Sequence, residues 1–239
     1  MKTILISGGD GSLAQKIKST QHTIYKLSKK EMDVMNLADI ISAIKKYKPD
    51  YFIHTAAMTR PMIDHITNPQ LSISTNIVGT GLVTCACIES TKVDFLPNVK
   101  LIYISTDYVY PGIDGNYKED DALLPVNEYA WSKLGGECAV RLYNNSLILR
   151  MALCEKPFPH EKALCDIKKS YMYMDEAAEL IPKLLDETGI INVGGSKSTP
   201  YDFAKKDNPN VEKIKLSNVN DVNMAKDSTM NINKLNNLI

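Results

Sequence analysis

The sequence predicts an α/β protein built on a doubly wound parallel sheet, and three observations carry that expectation. A short run rich in β-branched residues, Thr3 to Ser7, ends in the glycine turn Gly8-Gly9-Asp10-Gly11, which opens directly into a helical pattern. Further short apolar runs, at His22 to Leu27, Tyr51 to His54, Leu101 to Ser105 and Ser146 to Arg150, alternate with segments of helical period, the spacing of βαβ units. Tyr129 and Lys133 stand four residues apart on one of those helical segments, on the same side of a coil of about 3.6 residues per turn.

Taken in order, the glycine turn assigns a job to each small residue. Gly8 permits the tight reversal, Gly11 lets backbone approach a pyrophosphate, and Ala14 allows the helix to pack closely on the strand. With Ser12 and Leu13 they make a dinucleotide-binding turn, whose phosphates sit where free N–H groups and the helix dipole favour anions. An ordinary glycine-rich turn is the alternative. The second strand, His22 to Leu27, ends on Ser28-Lys29-Lys30, where an NAD site commonly carries an acid. Hydroxyl and cationic groups suit a 2′-phosphate, so NADP(H) is preferred, while Glu31 and Asp33 keep NAD(H) open and plain solvation of the two lysines is the bland reading.

Leu37 to Lys46 is a helix, stopped by Pro49-Asp50 before the third strand, Tyr51 to His54. Thr55-Ala56-Ala57, small residues at that strand's end, let a cofactor lie across the sheet edge; His54 reads as a packed histidine, and Arg60 either meets a substrate phosphate or caps the surface. Asn68 to Thr91 is a long helix in which Gly79 and Gly81 each cost about 1 kcal/mol relative to alanine, offset by close packing. The fourth strand, Leu101 to Ser105, runs into Thr106-Asp107-Tyr108, where a hydroxyl meets a substrate carbonyl. Tyr129 and Lys133 bring proton chemistry to that carbonyl, since a neighbouring ammonium lowers a phenol pKa from about 10 and makes it a general acid. Beyond Arg150 come a rigid turn, Pro157-Phe158-Pro159-His160, an amphipathic helix from Glu176 to Glu187, a short helix from Tyr201 to Lys206, and irregular chain from Asn208 to Asn223.

Bulk properties narrow the function classes. The 239 residues suffice for a substantial core, and the 28 basic and 28 acidic residues cancel, which removes the electrostatic case for nucleic acid or an anionic membrane as partner. Cys85, Cys87, Cys138, Cys154 and Cys165 are odd in number and lack Cys-x-x-Cys spacing, which points to a reducing, cytoplasmic compartment and to neither a disulfide framework nor a metal site. No apolar run is read as approaching the ~20 residues needed to cross a bilayer, so a soluble protein is expected.

Together Gly8-Gly9-Asp10-Gly11-Ser12-Leu13-Ala14, Asp33-Val34, Ala56-Ala57, Asn76 with Gly79-Thr80, Ser105 to Tyr110, Tyr129 with Lys133, Ile148-Leu149-Arg150, Tyr173 to Ala177 and Gly189 to Gly195 resemble the extended short-chain dehydrogenase/reductases. Within them the chain is most similar to the dTDP-4-dehydrorhamnose reductases and their relatives. The resemblance implies a Rossmann portion over residues 1–150 and a small substrate-binding portion over 151–239 that does not fold on its own. It implies that Thr106 bonds a keto oxygen, Tyr129 donates the proton and Lys133 bonds the nicotinamide ribose. Cofactor contacts are then expected from Gly8, Gly11, Ser12, Leu13, Ser28, Lys29, Asp33, Val34, Ala56 and Ala57, and substrate contacts from Arg60, Asp107 and Tyr108. The implied activity is NADPH-dependent reduction of the 4-keto group of a nucleotide-linked 6-deoxyhexulose, by a homodimer.

Dehydratases of the same superfamily carry Asp-Glu where this chain has Asp107-Tyr108; tyrosine cannot replace that base, so reduction is favoured over dehydration. Two departures stand out. Met151-Ala152-Leu153-Cys154 lacks the aromatic residue that the reductases carry shortly after the Arg150 strand, and Glu155 to Ser170 is shorter than its counterpart, which implies a reduced lobe with a more open pocket or one completed by a second subunit. A non-catalytic NADP-binding regulatory subunit, similar to the methionine adenosyltransferase beta subunit, and a nucleotide-sugar epimerase are the alternatives.

Overall fold

A computed structural model describes residues 1–92, 96–219 and 223–239. From the N-terminus its elements are β1 (Lys2–Ser7), α1 (Ser12–Lys16), β2 (His22–Leu27), α2 (Leu37–Tyr47), β3 (Tyr51–His54), α3 (Asp64–Thr67), α4 (Pro69–Ser72) and α5 (Thr80–Ser90). Then follow β4 (Lys100–Thr106), α6 (Glu128–Val140), β5 (Ser146–Met151), β6 (Leu153–Cys154), β7 (Lys162–Leu164) and β8 (Met172–Tyr173). The chain finishes with α7 (Met174–Leu180), β9 (Gly189–Val193), α8 (Pro200–Ala204), β10 (Glu212–Ile214) and α9 (Asn233–Asn236).

Among the described residues the main sheet has six strands in the order β2-β1-β3-β4-β5-β9, every pairing parallel. Successive side chains of a strand point to opposite faces, and here both faces are covered, which is why the strands read as continuous apolar runs. Ile4, Ile6, Ile53, Leu147 and Leu149 pack under α1, α7 and α9, while Leu5, Phe52, Leu101, Tyr103 and Ile148 pack under α2, α5 and α6. The doubly wound sheet is as expected. Because β1 pairs with β2 on one side and β3 on the other, the connections diverge at the carboxyl ends of β1 and β3, and a crevice opens there.

Several elements depart from expectation for physical reasons. Pro182 has no N–H and crowds the preceding turn, so α7 stops at Leu180 and a 3₁₀ turn, Ile181–Lys183, replaces the rest of the expected helix; Leu184 and Leu185 are buried all the same. The tract expected to be irregular contains β10, paired parallel with β7, and a 3₁₀ turn at Leu216–Asn218; its residues 220–222 lie outside the described residues. α4 and α5 are joined by a π-helical stretch, Ile73–Gly79, into one helix, Pro69–Ser90, of 22 residues, within which an 18-residue stretch has a mean hydropathy of 1.6. By length and composition it is sufficient to cross a membrane, which corrects the expectation that no such run exists. In the fold α5 lies on the sheet between α2 and α6 with Val83, Ala86 and Cys87 in the core. Gly79 packs against Val34 as expected, whereas Gly81 has nothing among the described residues within 4 Å of where a side chain would start.

Candidate functional site

The carboxyl ends of the strands border a cleft of about 790 Å³. On one side the turn after β1 holds Gly8 at φ +66°, and a Cβ there would come within 2.7 Å of the Ala56 Cα, so the turns after β1 and β3 touch only because position 8 is glycine. Gly11 leads into α1 in extended conformation without a side-chain cap, which leaves the first N–H groups of the helix free, and a Cβ on it would lie 3.1 Å from the Gly8 carbonyl oxygen. A cradle of bare backbone at a helix start fits a pyrophosphate.

Of the expected cofactor residues, Gly11, Ser12, Leu13 and Ala57 line the cleft, whereas Gly8, Ser28, Lys29, Asp33, Val34 and Ala56 do not. At the end of β2, Ser28 donates its N–H and its hydroxyl to Glu31 Oε2 at 2.8 and 2.7 Å, and those bonds hold the Glu31 carboxyl below the usual range. The Ser28 hydroxyl expected to meet the cofactor is therefore taken by a local turn. Lys29 is exposed with Nζ 4.0 Å from Asp33 Oδ2, and Asp33 also accepts the Met35 N–H at 2.9 Å.

On the other side β4 ends at Thr106, whose hydroxyl accepts the Tyr108 N–H and donates to Asp107 Oδ1, both at 3.3 Å. α6 is started by Asn127, whose side chain accepts the Ala130 N–H at 2.9 Å and so fixes the turn that carries Tyr129. The phenol of Tyr129 faces the same cleft as Thr106. Lys133, one turn on, is 4% exposed, with its ammonium 4.2 Å from the centre of the Tyr103 ring. Thr106, Tyr129 and Lys133 line the same cleft, as do Arg60, Asp107 and Tyr108.

The electrostatics correct one expectation. Burial pushes the Tyr129 phenol above its ordinary range, and the Asp107 carboxylate pushes it further, with Thr106 and Arg60 acting the other way. Lys133 is not among the groups that set this shift, and burial depresses Lys133 itself to about 7, against the opposing pull of Glu137. The phenol is thereby kept in its protonated form, the one that donates.

Buried side chains behind these groups hold them in place. Asn76, in the π-helical stretch, donates from Nδ2 to Met58 O and Ser132 Oγ at 2.9 and 2.8 Å and accepts the Met58 N–H at 2.8 Å, tying the loop after β3 to α6. Glu137 pairs with Arg150 at 2.5 Å, both fully buried, and accepts Ser105 Oγ at 2.9 Å. In the run after Arg150 that lacks the reductases' aromatic residue, Leu153 and Cys154 line the cleft, and Phe158 and Tyr171 add aromatic rings to it from further along the chain. Sequence reasoning gave Asn76 and Glu137 no role, and it missed Lys169 and Ser228 altogether: Lys169 Nζ lies 2.8 Å from Asp107 Oδ2, and Ser228 Oγ donates to the same oxygen at 2.6 Å. No local spacing signals either one.

Known proteins share both sequence and shape with this chain. It is 33% identical to Methionine adenosyltransferase 2 subunit beta of Xenopus laevis over 152 residues, 59% of this chain and 43% of that protein. With the dTDP-4-dehydrorhamnose reductase of Aggregatibacter actinomycetemcomitans it shares 29% identity over 161 residues, 63% of this chain and 51% of that enzyme. The chain thus spans about half the length of the curated relatives it matches. The crystal structure of dTDP-4-dehydrorhamnose reductase from Bacillus anthracis in complex with NADP superposes with a TM-score of 0.84 at 24% identity, over 98% of this chain and 91% of that one. The chain therefore keeps nearly all of that fold. The family model described as RmlD substrate binding domain matches residues 1–154, and the chain belongs to that family of extended short-chain dehydrogenase/reductases.

Proposed function

We propose that the chain reduces the 4-keto group of a nucleotide-linked 4-keto-6-deoxyhexose with NADPH as reductant. The observation that carries this reading is the convergence of Thr106, Tyr129 and Lys133 on one cleft whose far wall is the bare-backbone cradle at Gly11 to Leu13. When bound, the reduced nicotinamide supplies hydride to the carbonyl carbon. The chain's own groups do the rest: Thr106 and Tyr129 bond the carbonyl oxygen, the phenol gives up its proton as negative charge gathers there, and Lys133 bonds the ribose and becomes fully charged beside it. Arg60, Asp107 and Tyr108 meet the nucleotide sugar from residues 1–150, which also build the cofactor side, and residues 151–239 close the substrate side. Lys29 and Lys30 favour a 2′-phosphate, in keeping with the NADP of the Bacillus anthracis reductase crystal. Tyr108 in place of a second carboxylate removes the base that water elimination needs.

A second reading, a cofactor-binding regulatory subunit, draws on the 33% identity with the methionine adenosyltransferase subunit. One experiment separates them: the protein is mixed with NADPH and a panel of 4-keto nucleotide sugars while nicotinamide absorbance is followed. Oxidation with one of them, cut ~10²-fold or more in Tyr129→Phe at near-unchanged NADPH affinity, is the expected result. No oxidation across the panel transfers the case to the regulatory reading. In calorimetry NADPH is expected to bind more tightly than NADH, and the reverse order would overturn the assignment of Lys29 and Lys30.

A further inference from the structure

Lys169 is a buried cation aimed at the cleft from the C-terminal portion. Its backbone is pinned by paired hydrogen bonds with Ser198, Lys169 N–H to Ser198 O at 2.9 Å and Ser198 N–H to Lys169 O at 3.0 Å, while its side chain, 2% exposed, runs in to Asp107. Asp107 Oδ2 receives the ammonium at 2.8 Å and the Ser228 hydroxyl at 2.6 Å, and Oδ1 receives the Thr106 hydroxyl at 3.3 Å. The same ammonium lies 3.4 Å from the centre of the Tyr108 ring and 5.3 Å from that of Tyr171. Three distant stretches of chain thus meet on one carboxylate, next in sequence to Thr106, which lines the cleft with Tyr129.

A pair of ions taken out of water gains little stability, because desolvation consumes most of the attraction. Placed on the wall of a cleft, such a pair points to a use in the site. We propose that Lys169 is a positioning residue for the reduction, its ammonium fixing the Asp107 carboxylate and the Tyr108 ring beside Tyr129. The proposal rests on the reductase reading above. Asp107 sees Lys169 and the hydroxyls of Tyr108, Tyr129 and Tyr171; Arg60, from the loop after β3, faces Tyr108 and Tyr129; Lys133 and Glu137 belong to the same helix as Tyr129. In this setting the negative charge of Asp107 opposes loss of a proton from Tyr129, and Lys169 compensates it. Its cation over the ring face holds Tyr108 in one orientation toward substrate.

The test compares Lys169→Met and Lys169→Arg with the wild-type chain in NADPH oxidation across the acid to alkaline range. Lys169→Met is expected to lose kcat about tenfold or more at neutral pH with KM for NADPH little changed, and to recover as the pH falls, because a proton on Asp107 removes the uncompensated charge. Lys169→Arg should keep the wild-type profile. Unchanged kcat in Lys169→Met, or a loss equal at every pH, overturns the proposal, the latter being the mark of a merely structural role. Should Lys169→Met not fold, as judged by circular dichroism, Lys169→Arg decides alone: acid recovery in it is the contrary result. If the wild-type chain oxidises NADPH with none of the sugars, the reductase reading has failed separately, and the pair is then read from the near-ultraviolet circular dichroism of the tyrosines around it. That signal should change in Lys169→Met and persist in Lys169→Arg, and an unchanged signal in Lys169→Met overturns the assignment.

Discussion

At the scale of single residues, burial sets the chemistry. His54 lies at the end of β3 with Nδ1 hydrogen-bonded to Ser7 Oγ at 2.7 Å and Nε2 to Thr80 Oγ1 at 3.0 Å, and desolvation, helped by Lys133, lowers its pKa to about 3. Unfolded, a histidine titrates near 6.5. Between the two values the unfolded chain binds the extra proton, so stability falls as pH drops through that window. From pH 7 to pH 5 the loss from this one group comes to about 2 kcal/mol. Urea unfolding of wild type and His54→Gln at both pH values checks it: the variant starts less stable but should lose about 2 kcal/mol less on acidification, and equal losses would exclude His54 as the source. The packed role of His54 was legible in its apolar strand. The direction of the Tyr129 shift was not, because it depends on how deeply the helix is buried and on Asp107, neither of which a four-residue spacing records.

At the scale of elements, two glycines show opposite balances. Alanine in a helix interior gains about 1 kcal/mol over glycine, so the result turns on the space available. Among the described residues nothing stands within 4 Å of a Cβ at Gly81, whereas one at Gly136, on α6, would meet Asn76 O at 2.5 Å and the Tyr103 hydroxyl at 2.6 Å. Gly81→Ala is expected to raise stability by about 1 kcal/mol, while overpacking of about 1–3 kcal/mol should make Gly136→Ala a net loss. Denaturation midpoints of the two variants decide this, and a stabilised Gly136→Ala would show that α6 and the Asn76 turn do not approach so closely. The long strands were legible because both their faces are apolar, and α2 because its apolar residues recur at helical spacing. β10 was not, since Glu-Lys-Ile is too short and polar to register, and the π-helical turn at Asn76 has no compositional signature.

Across the whole molecule the two halves of the chain are interlocked. Arg150, buried between them, donates to Glu137, to the Tyr110 hydroxyl at 2.8 Å and to the Glu119 carbonyl at 3.0 Å, and the Tyr110 hydroxyl in turn donates to Asn192 Oδ1 at 2.7 Å on β9. The glycine turn and the Tyr129 helix announced the first half of the site, since their residues are close in sequence to the strands that place them. The second half, Lys169 and Ser228, is assembled only by long-range folding and left no local trace. One further consequence concerns how such a chain is made. Its sixth strand is translated well after the fifth, so a nascent polypeptide emerging from the ribosome carries an unpaired margin along Ser146–Met151 until Val193 has cleared the exit. A fragment ending at Arg150 should therefore sediment as aggregate or be retained by chaperones, and a soluble, monodisperse fragment in analytical ultracentrifugation would show that the margin protects itself.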